Sequence, residues 1–116
     1  MTPAKLSRRV RRELDNPRNE RWLSPASVVE LFMLTNRGRV PLKEDVSTWL
    51  DGALEGLREA TITFEIAREA RNLPFELHDP VDRLIAASAR VLDLRLVTAD
   101  ERMLGVGGLN VLDNNQ

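Results

Sequence analysis

The chain has 116 residues, 42% of them hydrophobic and 30% charged, with a formal net charge of −1. That is the composition of one globular domain rather than a disordered segment, and it offers no overall positive field, so a nucleic-acid partner would need a local patch. There is no cysteine, which excludes disulfide and thiolate-metal frameworks and fits a reducing cytoplasm, and no apolar run reaches the roughly 18 residues of a membrane span.

Residues 3–15, PAKLSRRVRRELD, predict an amphipathic helix. Leu6, Val10 and Leu14 recur every fourth residue on one side, and Arg8, Arg9, Arg11 and Arg12 cover the rest. Seven basic and three acidic side chains fall within residues 1–21. Such a stripe is either a solvated face or a patch that neutralises phosphates without reading sequence. After a turn at Asn16–Asn19, Arg21–Leu23 predicts a short strand.

Ser24 then stands as N-cap and Pro25 at the first position of a helix that runs to Asn36 and stops at Gly38. It is apolar nearly all round, with Glu30 the one charged residue inside it. A carboxylate in such a helix is costly to desolvate unless something pairs with it. Glu30 therefore meets an arginine, follows a narrow polar stripe, or serves as metal ligand or general base.

Pro41–Leu57 keeps helical spacing without evident chemistry, and Trp49 there reads as packing. Thr61–Phe64 is β-branched and predicts a strand, followed by helical turns over Glu65–Arg71 and a connection at Phe75–Leu77.

The stretch His78–Asp100, HDPVDRLIAASARVLDLRLVTAD, organises the rest. Asp79 is an N-cap, Pro80 the first helical residue and Asp82 the acid of the first turn, positions that capping and the helix dipole explain by themselves. Ala86, Ala87 and Ala89 let the helix lie close on a sheet. A turn at Asp93-Leu94 leads into a predicted strand, Leu94–Thr98, that delivers Asp100, itself in place to cap a short helix at Glu101–Leu104. Gly105, Gly107 and Gly108 form a turn without a nucleotide fingerprint, and Leu109–Leu112 is a last β-prone run.

Strands alternating with helices predict an α/β domain with a parallel sheet, whose helix starts converge on one edge. Glu30, Asp82 and Asp100 each lie near such a start. Carboxylates gathered within a few ångströms repel one another and call for a cation. Hard oxygen ligands suit Mg²⁺ or Mn²⁺, and the single histidine, His78, argues against zinc. An ion of this kind activates water and stabilises in-line displacement at a phosphodiester.

The segments SPASVVEL, HDPVDRLIAASA and LVTAD together resemble the PIN-domain ribonucleases, especially the VapC-type toxins of bacterial toxin–antitoxin pairs. The resemblance runs from about Leu6 to Leu112. It implies a three-layer α/β fold with a central parallel sheet and a Mg²⁺- or Mn²⁺-dependent endoribonuclease site. By motif, Glu30, Asp82 and Asp100 would be the catalytic, metal-holding acids. Thr98 would be a supporting hydroxyl, Asp79 the neighbouring cap and Arg83 the basic neighbour. An RNA substrate and a cognate antitoxin are the implied partners, and cytoplasm the implied setting. The family's first strand, which ends in an aspartate and lies mid-sheet, has no counterpart ahead of Leu6. A single PIN-like domain over residues 1–116, lacking that strand and self-associating through exposed edges, is therefore expected. It would cleave RNA, or else persist as an inactive module that binds antitoxin or RNA.

Overall fold

The computed structural model describes residues 6–36, 46–74 and 77–115. The first helix, α1 (Arg8–Asp15), is capped by the Ser7 hydroxyl, which accepts from the Val10 amide at 3.2 Å. Val10 is fully buried while Arg8, Arg9, Arg11 and Arg12 are exposed, so the four-residue spacing does fix the buried face. There follow β1 (Trp22–Leu23), α2 (Pro25–Asn36), α3 (Val46–Ala53), β2 (Arg58–Glu59), α4 (Phe64–Ala70), α5 (Pro80–Val91), β3 (Leu96–Thr98), α6 (Glu101–Leu104) and β4 (Val111–Asp113). The expected stop at Gly38, the helical start at Pro41 and the connection at Phe75 lie outside the described residues.

All strand pairing among the described residues is parallel. Trp22 sits opposite Arg58 and Leu23 opposite Glu59, while Leu96, Val97 and Thr98 face Val111, Leu112 and Asp113. Among the described residues these form two separate two-stranded ladders rather than one continuous sheet, because no described strand bridges the pairs. The strand predicted at Thr61–Phe64 moves to Arg58–Glu59. There the Arg58 amide donates to Arg21 O at 2.8 Å and the Ala60 amide to Leu23 O at 2.9 Å. Thr63 is instead the N-cap of α4, its hydroxyl accepting from the Ile66 amide at 3.2 Å. A threonine hydroxyl offered to the backbone wins over β propensity at this position.

The core gathers around α5, which packs against both α4 and α2. Its buried stripe is small, Ala86, Ala87, Ser88 and Ala89, and against it lie Ile66, Leu73, Leu77, Met103 and Val106. Small side chains let neighbouring elements approach closely, and that approach places the site. The helix ends through Asp93 in a left-handed conformation (φ 54°), with the Leu94 amide reaching back to Ala89 O at 2.8 Å. This is a Schellman-type stop built on aspartate, one of the few residues besides glycine that tolerate such a φ.

Arg83 shapes the connection that feeds α5. Its Nε donates to Ala70 O at 3.0 Å, and Nη1 donates to Pro74 O and Leu77 O at 2.9 and 2.8 Å. Nη2 donates to Ala70 O at 2.7 Å and Leu73 O at 3.0 Å. The sequence offers Arg83 as a basic neighbour of the acids; the structure engages it instead with backbone carbonyls. A planar guanidinium has five donors in a fixed fork, which suits the fan of carbonyls at the end of α4 and the loop beyond it. Replacing Arg83 by methionine deprives that fan of its donors and is expected to cost about 2–4 kcal/mol. Arg83→Lys should recover little, since an ammonium cannot span the fan. Urea denaturation measures both, and a loss below about 1 kcal/mol would mean that water replaces the guanidinium freely.

Candidate metal centre

Three acids meet where α2 crosses α5. Ser24 starts α2, its buried hydroxyl accepting from the Ala26 amide at 3.1 Å, and Pro25 occupies the first helical position. Glu30 follows in the second turn. Asp79 caps α5, with Oδ1 accepting from the amides of Val81 at 2.8 Å and Asp82 at 3.4 Å. Because α2 packs on α5, Glu30, Asp79 and Asp82 each bring an oxygen to within 4.8 Å of the others.

This crowding has an electrostatic signature. The Asp82 carboxyl is held above the ordinary carboxylate range, first by burial and then by the charges of Asp79, Glu30 and Asp100, with Arg102 partly offsetting them. Hard oxygen donors that repel one another are the donor set a divalent cation relieves. The residues fit such an ion.

Asp100 stands beside this group without belonging to it. The Thr98 hydroxyl accepts from the Asp100 amide at 3.0 Å, so the supporting hydroxyl expected from sequence orients the backbone that carries the acid. Asp100 caps α6 through the Arg102 amide and also receives the Arg102 guanidinium, Nε to Oδ1 at 3.0 Å and Nη2 to Oδ2 at 2.7 Å. These bonds hold its carboxyl below the ordinary range against the opposing effect of burial. The same Nη2 lies 3.5 Å from Asp82 Oδ2.

Of the residues singled out from sequence, Glu30 and Asp82 come together, Asp100 is paired next to them, and Arg83 is turned into the fold. Arg8, Arg9, Arg11 and Arg12 lie outside the acid group, on α1. The start of that helix is nevertheless tied to the same edge. The Ser7 amide donates to Asn114 Oδ1 at 2.8 Å, just beyond β4, and the neighbouring Asn115 side chain donates to Ala99 O at 3.0 Å. Sequence reasoning kept Asp79 as a cap and overlooked Arg102. The spacing of Asp79 and Asp82, three residues apart at a helix start, was the available signal for the first. Arg102 gave none, since an acid and a base two residues apart do not share a helix face.

The PIN domain family profile matches residues 2–109. The chain belongs to the PIN domain family. This PIN domain is 34% identical over 102 residues to Ribonuclease VapC22 of Mycobacterium tuberculosis, a match spanning 87% of this chain and 78% of that protein, which places it with the VapC type. A solved structure, VapBC2 from Rickettsia felis bound to a DNA fragment from their promoter, aligns with a TM-score of 0.59 at 21% identity, over 79% of this chain and 73% of that one. The fold is therefore the mixed α/β PIN fold with parallel strands that the sequence predicts. Among the described residues no helix is long and apolar enough to cross a membrane.

An aspartate whose folded pKa is raised binds its proton more tightly in the folded state than in the unfolded chain. Its contribution to stability is present at low pH and is lost as pH rises through the raised value. Asp82→Asn should therefore stabilise the metal-free protein near neutral pH by about 1 kcal/mol. The gain should vanish as pH falls below the ordinary aspartate value of about 3.9, where Asp82 is protonated in the folded and the unfolded chain alike. Chemical denaturation in EDTA across this range checks it; a neutral or destabilising substitution at pH 7 would mean that the capping role outweighs the repulsion.

Proposed function

We propose that this PIN domain is a metal-dependent endoribonuclease that holds Mg²⁺ or Mn²⁺ at Glu30, Asp79 and Asp82, with Asp100 as a fourth acid. The observation that carries the reading is the gathering of three carboxylate oxygens within 4.8 Å at the crossing of α2 and α5. Its place in a chain similar to a VapC ribonuclease supports it further. A divalent ion held there would activate water and offset charge on a phosphodiester. The chain's own residues do the rest. Glu30 and Asp82, on two different helices, fix the position of the ion, and Asp79 holds one carboxylate edge through its bonds to the α5 amides. Thr98 keeps Asp100 at the lip of the site.

On this reading the substrate is RNA, and the exposed Arg8, Arg9, Arg11 and Arg12 of α1 guide its phosphates toward the acids. A cognate antitoxin is the proposed protein partner, in keeping with the resemblance to VapC-type toxins and with a structural neighbour that is a VapBC2 assembly, and cytoplasm the proposed location. One observation favours the alternative, an inactive module that binds antitoxin or RNA: Asp100 is engaged by Arg102 rather than facing the other acids.

Cleavage of single-stranded RNA in Mn²⁺, compared with EDTA, separates the two. Activity is expected with Mn²⁺, and Asp82→Asn or Glu30→Gln should lower it about 100-fold or more, as loss of an ion-positioning group does. Asp79→Ser is the informative companion, because serine keeps the N-cap while removing the carboxylate. It should leave stability within about 0.5 kcal/mol of wild type and still weaken Mn²⁺ binding. Full Mn²⁺ binding with no cleavage would support the inactive module.

RNA affinity should fall with salt, and alanine at the four arginines should reduce the slope by roughly one unit for each phosphate no longer neutralised. Filter binding at several salt concentrations measures this. A slope unchanged in the quadruple variant returns α1 to solvent.

A further inference from the structure

Asp100 shares the edge with Glu30, Asp79 and Asp82, yet its oxygens are not among those that gather there. Its partner is the Arg102 guanidinium, bound side-on with both nitrogens matched to both carboxylate oxygens at 3.0 and 2.7 Å. The outer nitrogen of that pair also faces Asp82 at 3.5 Å. One positive group thus bridges an acid at the start of α5 and an acid at the start of α6. The Arg102 side chain is 50% exposed, whereas those of Asp82 and Asp100 are 23% and 26% exposed, so the cation lies at the mouth with a direct route to solvent.

We propose that Arg102 is an internal counter-ion that occupies the cation position between Asp82 and Asp100, and that a divalent ion must displace it before Asp100 can join the other three acids. This rests on the metal-dependent reading above and adds to it a residue that sets how much ion the site requires. The displacement is easy in physical terms. An exposed ion pair gains little over its hydrated partners, and a guanidinium carries one charge where the incoming ion carries two. Arg102 reaches back from the first turn of α6 on a flexible side chain, so it can leave by rotation about its own bonds without moving the Asp100 backbone. While it stays, its positive charge lies 3.5 Å from Asp82 Oδ2 and offsets the repulsion there. Arg102 therefore acts with opposite sign on two quantities: it stabilises the metal-free protein and weakens metal binding.

Calorimetric titration of the 116-residue chain with MnCl₂, alongside thermal unfolding in EDTA, tests the proposal. Arg102→Met should bind Mn²⁺ about five- to tenfold more tightly than wild type while melting at a lower temperature without metal. Arg102→Lys, which keeps the charge but loses the side-on match, should fall between them. Placed in an Asp100→Asn background, Arg102→Met should lose most of its gain. A purely structural arginine would lower stability and affinity together. Equal or weaker Mn²⁺ binding by Arg102→Met, with wild type still binding and Asp82→Asn not, overturns the role given to Arg102 and leaves the metal reading standing. No Mn²⁺ binding by any of the proteins overturns both.

Discussion

Like charges held close by apolar packing are the constraint on which this molecule turns. α2 packs on α5, and that packing sets the distance between Glu30 on one helix and Asp79 and Asp82 on the other. Burial first, and then the charges of the neighbouring carboxylates, push Asp82 toward its protonated form. A site of this kind is less stable empty than its sequence neighbourhood would suggest. The same opposition makes cation binding favourable, because an ion removes a penalty already present in the fold.

Two arginines make the contrast between scaffold and site concrete. Arg83 directs its donors to carbonyls of the α4–α5 connection, neutral groups at and beyond a helix end, and so fixes the place where α5 begins. Asp79 and Asp82 inherit that position. Arg102 directs its donors to carboxylates at the surface, where water and other cations compete for both sides. The first arrangement is rigid because partly buried carbonyls lose heavily when their donor leaves, and the second is exchangeable because its components stay partly hydrated. A rigid α5 start beside an adjustable α6 start suits the metal site proposed above.

The weak overall charge of −1 hides a division of labour. Acids converge at one crossing, while the arginines of α1 stay in solvent on a separate helix whose start is bonded to Asn114, near the same edge. Separation matters, because guanidinium groups mixed among the acids would neutralise them as Arg102 does. On the function proposed above, a cationic stripe set apart from an anionic pocket would let phosphates and metal ions each find a field of the right sign.

Local rules made several elements legible in the sequence. The four-residue recurrence of Leu6, Val10 and Leu14, the Asp79-Pro80 start and the Asp100 cap all depend on neighbours a few residues away, and each stands in the structure as its residues imply. The motifs around Glu30, Asp82 and Asp100 likewise carried the family. What the sequence could not decide were outcomes of competition between distant groups. Arg83 chose carbonyls over carboxylates, and Asp79 proved to be a cap and a member of the acid group at once. Arg102 came to lie between Asp82 and Asp100 only because α5 and α6 begin side by side. Capping is settled within one turn of the chain; which charge faces which is settled by tertiary packing, since Coulomb forces act across space without regard to sequence separation.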